Sequence, residues 1–298
     1  MKVLALYKED TLSLHRRVKA PFSALSKQGH SFSFLQVESF SAGIGFSSDV
    51  TVLQDWLLSE EELAELGRVA LTRLFVVDCS DPLLLQQERY RRQLQIAHLV
   101  TVPNGWMKRE ISLLNHNIAV LPSTMDKEHF FGVRKTVKFP ENYPTTIGCF
   151  GPYDWYLVRD ALLEIKTRYP RLYILGGKEA FDVLGDIIAP LPFGPLAIPE
   201  VIYQTAFGLC PYDGDHGWDE IWQREYGILC RPTITLRPPR SSKSEEWVDA
   251  IKHYLLHPEA RAMASNFAYK QANMERSTKV ACLYSDAYRK KLPHLSRA

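Results

Sequence analysis

The run Asp213-Gly214-Asp215-His216-Gly217-Trp218-Asp219-Glu220 is the densest group of chemically useful side chains in the chain. Asp213, Asp215 and His216 offer hydrogen-bond acceptors and a donor to a hydroxyl-rich ligand, and Trp218 offers a flat apolar face. Gly214 and Gly217 let the backbone come close where other residues would resist. A solvated acidic turn with Asp219 near a helix N-cap fits the same string. Further upstream, Asp78 and Asp81 follow an apolar run and can take a proton from a hydroxyl held within hydrogen-bond reach, or can simply cap the next helix. His15 is a third acid–base candidate, weighed against a solvated histidine, and Arg17, two positions on, is a cation for an anionic ligand. No His/Asp or Cys/His metal spacing is present, so no metal is expected, and charge on a departing anion falls to Arg, Lys and helix N-termini.

These residues need elements to position them. Val3 to Tyr7 is a continuous apolar run of strand length, as for a strand covered on both faces of a parallel sheet. Val18, Phe22 and Leu25 follow at helical spacing, Gly29-His30 supplies a stop, and Phe32 to Leu35 resumes extended character. Asp49 to Leu53 reads as a third strand. Ser59-Glu60-Glu61-Glu62 is a capping box with Leu58 and Leu63 as its staple, opening a helix to about Ala70. Leu74 to Val77, Leu99 to Val102 and Ile118 to Leu121 repeat the strand pattern. After a polar stretch from Lys127 to Tyr143, Thr146 to Gly151 begins a second alternation. It predicts a helix over about Trp155 to Tyr169, strands at Leu172–Leu175, Phe207–Cys210 and Pro232–Leu236, and a helix over about Glu220 to Leu229. Trp247–Leu256 and Pro258–Arg289 carry helical periodicity. The expected fold class is α/β with two Rossmann-like domains, residues 1–143 and 144–275, and a terminal helix, 276–298, that packs back on the first. In such sheets ligands sit outside the carboxyl ends of the strands, the ends that carry Asp78, Asp81, Gly151 and the loop at 213–220.

Composition bounds the rest. The chain has 298 residues, 46% of them hydrophobic, which is ample for packed cores, and 36 basic against 34 acidic residues leave no overall field toward a polyanion or membrane. Any polyanion must be bound locally; Arg89, Arg91 and Arg92 beside Tyr90, and Arg289-Lys290-Lys291, are the basic clusters that could do it, or are simply solvated faces. The five cysteines are odd in number and widely spaced, as for free thiols in a reducing compartment. The opening apolar run is too short, and too soon followed by Lys8-Glu9-Asp10, for a signal peptide or a membrane span, so a cytoplasmic location is expected.

Arg17-Val18 with Pro21, Leu25 and Gly29-His30, then Val76-Val77-Asp78-Cys79-Ser80-Asp81, Ala97 to Pro103 and Val120 to Asp126 resemble, in order, the N-terminal segments of nucleotide-sugar glycosyltransferases of the GT-B type. Ile147 to Gly151, Gly208-Leu209-Cys210-Pro211, Arg224-Glu225-Tyr226-Gly227 and Arg231 to Ile234 resemble their donor domain. The resemblance implies two domains facing a cleft, an acceptor domain followed by a donor domain, and transfer of a hexose-like sugar from a nucleotide diphosphate donor, foremost a UDP-sugar, to an acceptor hydroxyl. It implies no cofactor beyond that substrate. On it, Glu225 binds the ribose hydroxyls from the helix surface rather than the core. Gly151, Pro152 and Tyr153 receive the diphosphate at a helix start with Arg159 and Lys178 as cations, Asp213, Asp215 and His216 face the sugar, and Arg17 serves acceptor or diphosphate. The chain departs from the pattern in lacking a glycine-rich loop after Tyr7, in Trp222 where lysine is common, and in Gly217 where a second acid is expected. Those departures motivate a second reading, a binding subunit with the fold but no turnover; DNA as acceptor is a third, through the basic clusters.

Overall fold

The computed structural model describes the chain except for residues 10, 28, 41–47, 70–72, 125–129, 131, 134–144, 152, 191–197, 212–220, 237–242, 275–276 and 296–298. It divides into two compact units, Met1–Met125 with Arg276–Ala298, and Asp126–Glu275.

The first unit is built on a parallel sheet of six strands: β1 (Lys2–Tyr7), β2 (Ser31–Gln36), β3 (Val50–Gln54), β4 (Leu74–Asp78), β5 (Leu99–Val102) and β6 (Ile118–Val120). Their order is β2-β1-β3-β4-β5-β6. The apolar runs of β3, β4 and β5 are buried along their whole length, as strands covered on both faces must be. β2, at the edge, is mostly exposed, with Phe32 stacked on Phe22 at 4.6 Å. Helix α3 (Glu60–Val69) opens on a reciprocal cap, Glu62 Oε2 accepting from Ser59 N at 2.7 Å and Ser59 Oγ from Glu62 N at 3.2 Å. Helices α4 (Glu88–Ile96) and α5 (Gly105–Ile111) complete the crossovers.

The chain after β1 enters a short helix α1 (Leu12–Leu14), passes through one π-helical turn at His15–Lys19, and continues as α2 (Ala20–Ser26). The wider turn puts the Arg16 carbonyl within reach of Thr124, whose N–H and hydroxyl both donate to it, at 2.8 and 3.0 Å. Arg17 points the other way, into the core. Its Nε and Nη2 donate to the two oxygens of Asp78 at 2.8 and 2.6 Å, and its Nη1 to the Leu121 carbonyl at 2.7 Å. Thr101 Oγ1 donates to Asp78 as well. Both charged side chains are 1% exposed.

In the second unit, β7 (Thr146–Cys149), β8 (Tyr173–Gly176), β9 (Ala189–Pro190), β10 (Phe207–Leu209) and β11 (Thr233–Ile234) form a parallel sheet in the order β11-β10-β7-β8-β9. Its helices are α6 (Arg159–Arg168), α7 (Lys178–Leu184), α8 (Ile198–Gln204), α9 (Ile221–Ile228), α10 (Ser244–Leu256) and α11 (Pro258–Met274). The helix expected from Trp155 begins as a 3-10 turn over Trp155–Val158, because Asp154 caps that turn, and becomes α-helical at Arg159. Helix α12 (Ser277–Leu295) belongs to the first unit, where Val280, Ala281, Tyr284 and Tyr288 join the core around Val18 and Phe22. Among the described residues no helix is long and apolar enough to cross a membrane.

A buried ion pair that loses one partner leaves an uncompensated charge. Asp78→Ala is therefore expected to destabilise the first unit by about 3 to 5 kcal/mol, and Asp78→Asn by less, in urea unfolding followed by circular dichroism. A loss under about 1 kcal/mol for the alanine variant would show that water reaches the Arg17 guanidinium.

Candidate functional site

At the carboxyl edge of the first sheet the chain gathers Ser13 from α1, Gln54 and Asp55 from the end of β3, and Ser80 and Asp81 from the turn after β4. Asp55 is the centre of this group. Its Oδ1 accepts the backbone N–H of Ser80 at 2.7 Å and of Asp81 at 3.1 Å. Its Oδ2 accepts from Ser13 Oγ at 3.2 Å, and from Ser80 Oγ and Gln54 Nε2. Asp55 holds φ at +43°, a left-handed conformation that costs free energy for any residue with a side chain and concentrates at functional sites. Burial, followed by the nearby charge of Asp78, pushes its carboxyl up to about 6, against the opposing hydrogen bonds of Ser80 and Asp81.

The residues expected at this edge fall differently. Asp78, expected as a general base, is instead withdrawn from solvent, its two oxygens accepting from Arg17 and Thr101. Arg17, expected as an acceptor or diphosphate cation, is buried and donates to Asp78 and to the Leu121 carbonyl. Asp81 caps the short 3-10 turn Pro82–Gln86, its Oδ1 taking Leu83 N at 2.9 Å, the capping alternative raised above. His15 lies in the π turn with its Nε2 3.5 Å from Lys19 Nζ, which in turn sits 5.2 Å from the Tyr7 ring centre. Asp55, Ser13, Gln54 and Ser80 were not anticipated. A signal existed, since Asp55 is the first polar acid beyond an apolar strand, but the third strand was expected to stop at Leu53.

In the second unit, Gly151 follows β7 with φ +110°, open to glycine and resisted by other residues. A Cβ there would lie 2.8 Å from the Tyr153 ring and 3.0 Å from the indole of Trp222. Trp155 Nε1 donates to the Gly151 carbonyl at 3.0 Å, and Tyr153 packs edge-on to Trp155 at 5.8 Å. The turn that follows is capped by Asp154, whose Oδ1 takes Tyr156 N at 3.2 Å, so this helix start already holds a carboxylate. Arg159 is half exposed and 3.8 Å from Asp160, while Lys178 is well exposed and paired with Asp182 at 2.6 Å, which raises its pKa. Glu225, expected on the helix surface, is instead 1% exposed in α9, on a helix that buries Trp222 and Tyr226 too. Pro152, Asp213, Asp215 and His216 lie outside the described residues.

No family model matches the chain, and no curated protein matches it. Solved structures do. An α-glucosyltransferase in complex with UDP and a 13-mer DNA aligns at a TM-score of 0.61 and 9% identity, covering 99% of this chain and 99% of that one. The catalytic domain of starch synthase IV from Arabidopsis thaliana, bound to ADP and acarbose, aligns at 0.60 and 9% identity, covering 98% and 99%. A UDP-GlcNAc 2-epimerase from Neisseria meningitidis bound to UDP-GlcNAc aligns at 0.56 and 11% identity, covering 97% and 100%. The chain has a fold of the GT-B type, with two parallel sheets flanked by helices. At these identities the likeness is one of fold.

Asp55 is expected to titrate near pH 6 rather than near the ordinary 3.8, read from its carboxyl carbon by NMR. Because the folded value lies above the unfolded one, ionisation opposes folding. The penalty is absent below about pH 4, grows as pH rises through 6 and is complete above it. Asp55→Asn should flatten that window in pH-dependent unfolding, and a midpoint below about 4.5 in the native protein would mean the five donors outweigh burial.

Proposed function

We propose that the chain transfers a sugar from a nucleotide diphosphate donor to an acceptor hydroxyl, the donor held by the second unit and the acceptor by the first. The observation that carries this reading is the near-complete alignment with proteins whose structures contain UDP, ADP or UDP-GlcNAc. The Gly151 turn supports it: a left-handed glycine roofed by Trp222 and Tyr153, at the carboxyl end of a central strand, is where such a fold receives ligands. In this reading Glu225 accepts the ribose hydroxyls through charge-assisted hydrogen bonds, and Arg159 and Lys178 meet the diphosphate. Asp213, Asp215 and His216 meet the sugar. In the first unit the proton-accepting role passes from Asp78 to the turn organised by Asp55, with Asp81 beside it.

A second reading, nucleotide binding without transfer, is favoured by one observation. Trp222 stands where a lysine is common in the glycosyltransferases the chain resembles, and its indole packs on the Gly151 turn rather than supplying a cation.

The test is release of nucleoside diphosphate from a panel of UDP-, ADP- and GDP-sugars, with and without sugar acceptors, alongside the affinity for bare UDP and ADP. Release with one donor is the expected result; tight nucleotide binding without release selects the second reading, and neither binding nor release removes both. Glu225→Gln, nearly isosteric for a buried site, is expected to weaken nucleotide binding by about 1.5 to 3 kcal/mol with an unchanged circular dichroism spectrum. Unchanged affinity in that variant would put the nucleotide elsewhere.

A further inference from the structure

Because every pairing in the first sheet is parallel, the amino ends of its six strands lie on one edge, opposite the Asp55 cluster. Lys2 opens β1 on that edge, and His30 stands directly before β2. The end of α12 crosses it. Arg289 Nη2 is 3.2 Å from His30 Nε2, and two residues on Lys291 Nζ donates to Asn117 Oδ1, directly before β6, at 2.6 Å. Through their long side chains, Arg289 thus meets the residue before β2 and Lys291 the residue before β6. Lys2, Arg289 and Lys290 are exposed, as is Lys27 at the C-cap of α2. Acids near the same row among the described residues include Asp49, which accepts from Lys2 N at 2.7 Å, and Asp286 on α12. Burial, Arg289 and the terminal amino group together lower the pKa of His30, as a positive local field requires.

Basic residues often end helices, where they complement the dipole. That accounts for Lys27. It does not account for Lys2 and His30, which adjoin strands, or for a three-residue basic run more than one turn from the end of α12. The chain as a whole is only +2, so this edge is a concentration of charge and not a share of a general excess.

We propose that the amino edge of the first unit holds the sugar-phosphate backbone of a nucleic acid. Six strands at their usual spacing make a row about 24 Å long, which suits a chain of phosphates. A lipid surface would reward a cluster of apolar side chains at the same place, whereas the exposed ones nearby are Leu113, before β6, and Leu283, on α12. The surface is separate from the Asp55 group and stands whether or not the chain transfers a sugar.

The test uses the full chain and fluorescein-labelled 20-mers of single-stranded DNA, duplex DNA and RNA, by fluorescence anisotropy across a salt series. Binding to at least one of them, with an affinity falling steeply and linearly on a log–log salt plot, is expected, and the preferred one identifies the nucleic acid. Lys2→Glu with Lys290→Glu should weaken it by about tenfold or more at low salt, and Lys27→Glu alone by less, while Arg168→Glu in the second unit leaves it within about twofold. Absence of salt-dependent binding, equal losses in the Arg168 control, or binding only to phosphatidylserine-containing vesicles would each overturn the proposal.

Discussion

The first unit depends on one buried ion pair. Removing both Arg17 and Asp78 from water carries a large desolvation cost, which is offset only if every polar atom finds a partner. Here the guanidinium divides its donors between Asp78 and the Leu121 carbonyl, and Thr101 adds a hydroxyl to the carboxylate. Four pieces of chain meet as a result: the helix after β1, the end of β4, the middle of β5 and the segment after β6. The consequence reaches the edge of the sheet. Asp55 N donates to the Asp78 carbonyl at 3.0 Å, and the turn leaving Asp78 folds the N–H groups of Ser80 and Asp81 onto the Asp55 carboxyl. The charge of Asp78 then helps keep that carboxyl protonated to an unusually high pH. A structural pair in the core thus tunes a partly buried acid at the sheet edge.

In the second unit, close backbone approach positions the candidate residues. Gly148 and Gly208 are neighbours across β7 and β10, and the Tyr226 ring lies over both, where any Cβ would collide with it. Gly227, next along α9, brings that helix against the Ala268 backbone of α11, where a Cβ would lie 2.7 Å from the Ala268 carbonyl oxygen. Close approach on two sides fixes α9 against the sheet, and with it Glu225 and Trp222. The glycines therefore decide how near the candidate donor residues come to the strand ends.

Much of the architecture was legible because strands buried on both faces carry near-continuous apolar runs, as β1, β3, β4 and β5 do. The cap of α3 was legible because its chemistry is local. What escaped the sequence is non-local. Nothing in Arg17 or Asp78 taken singly says that each is buried, since that follows from 61 residues of separation closing to a hydrogen bond. Glu225 reads as a surface helix residue for the same reason. The π turn coincides with hydrogen bonds from Thr124 to the Arg16 carbonyl, across 108 positions. β9, two residues long, carries too little pattern to register. Apolar periodicity reports which faces are dry; it is silent on which polar groups are taken in with them.

That difference bears on what the two carboxyl edges can receive. In a parallel sheet the turns after the strands present free N–H groups, which ordinarily welcome anions. In this chain several of those groups are already matched to carboxylates: Ser80 and Asp81 to Asp55, Leu83 to Asp81, and Tyr156 to Asp154. An incoming phosphate at those turns would have to displace a carboxylate that is covalently fixed in place, and its own charge would meet that carboxylate at close range. The turns are better suited to hydroxyls, which donate to a carboxylate and bring no charge. A diphosphate would then fall to side-chain cations standing clear of the turns, and Lys178, well exposed and tethered by Asp182 at the start of α7, is one such cation in the second unit. On the function proposed above, the same division suits the Asp55 turn in the first unit to a neutral, hydroxyl-bearing ligand.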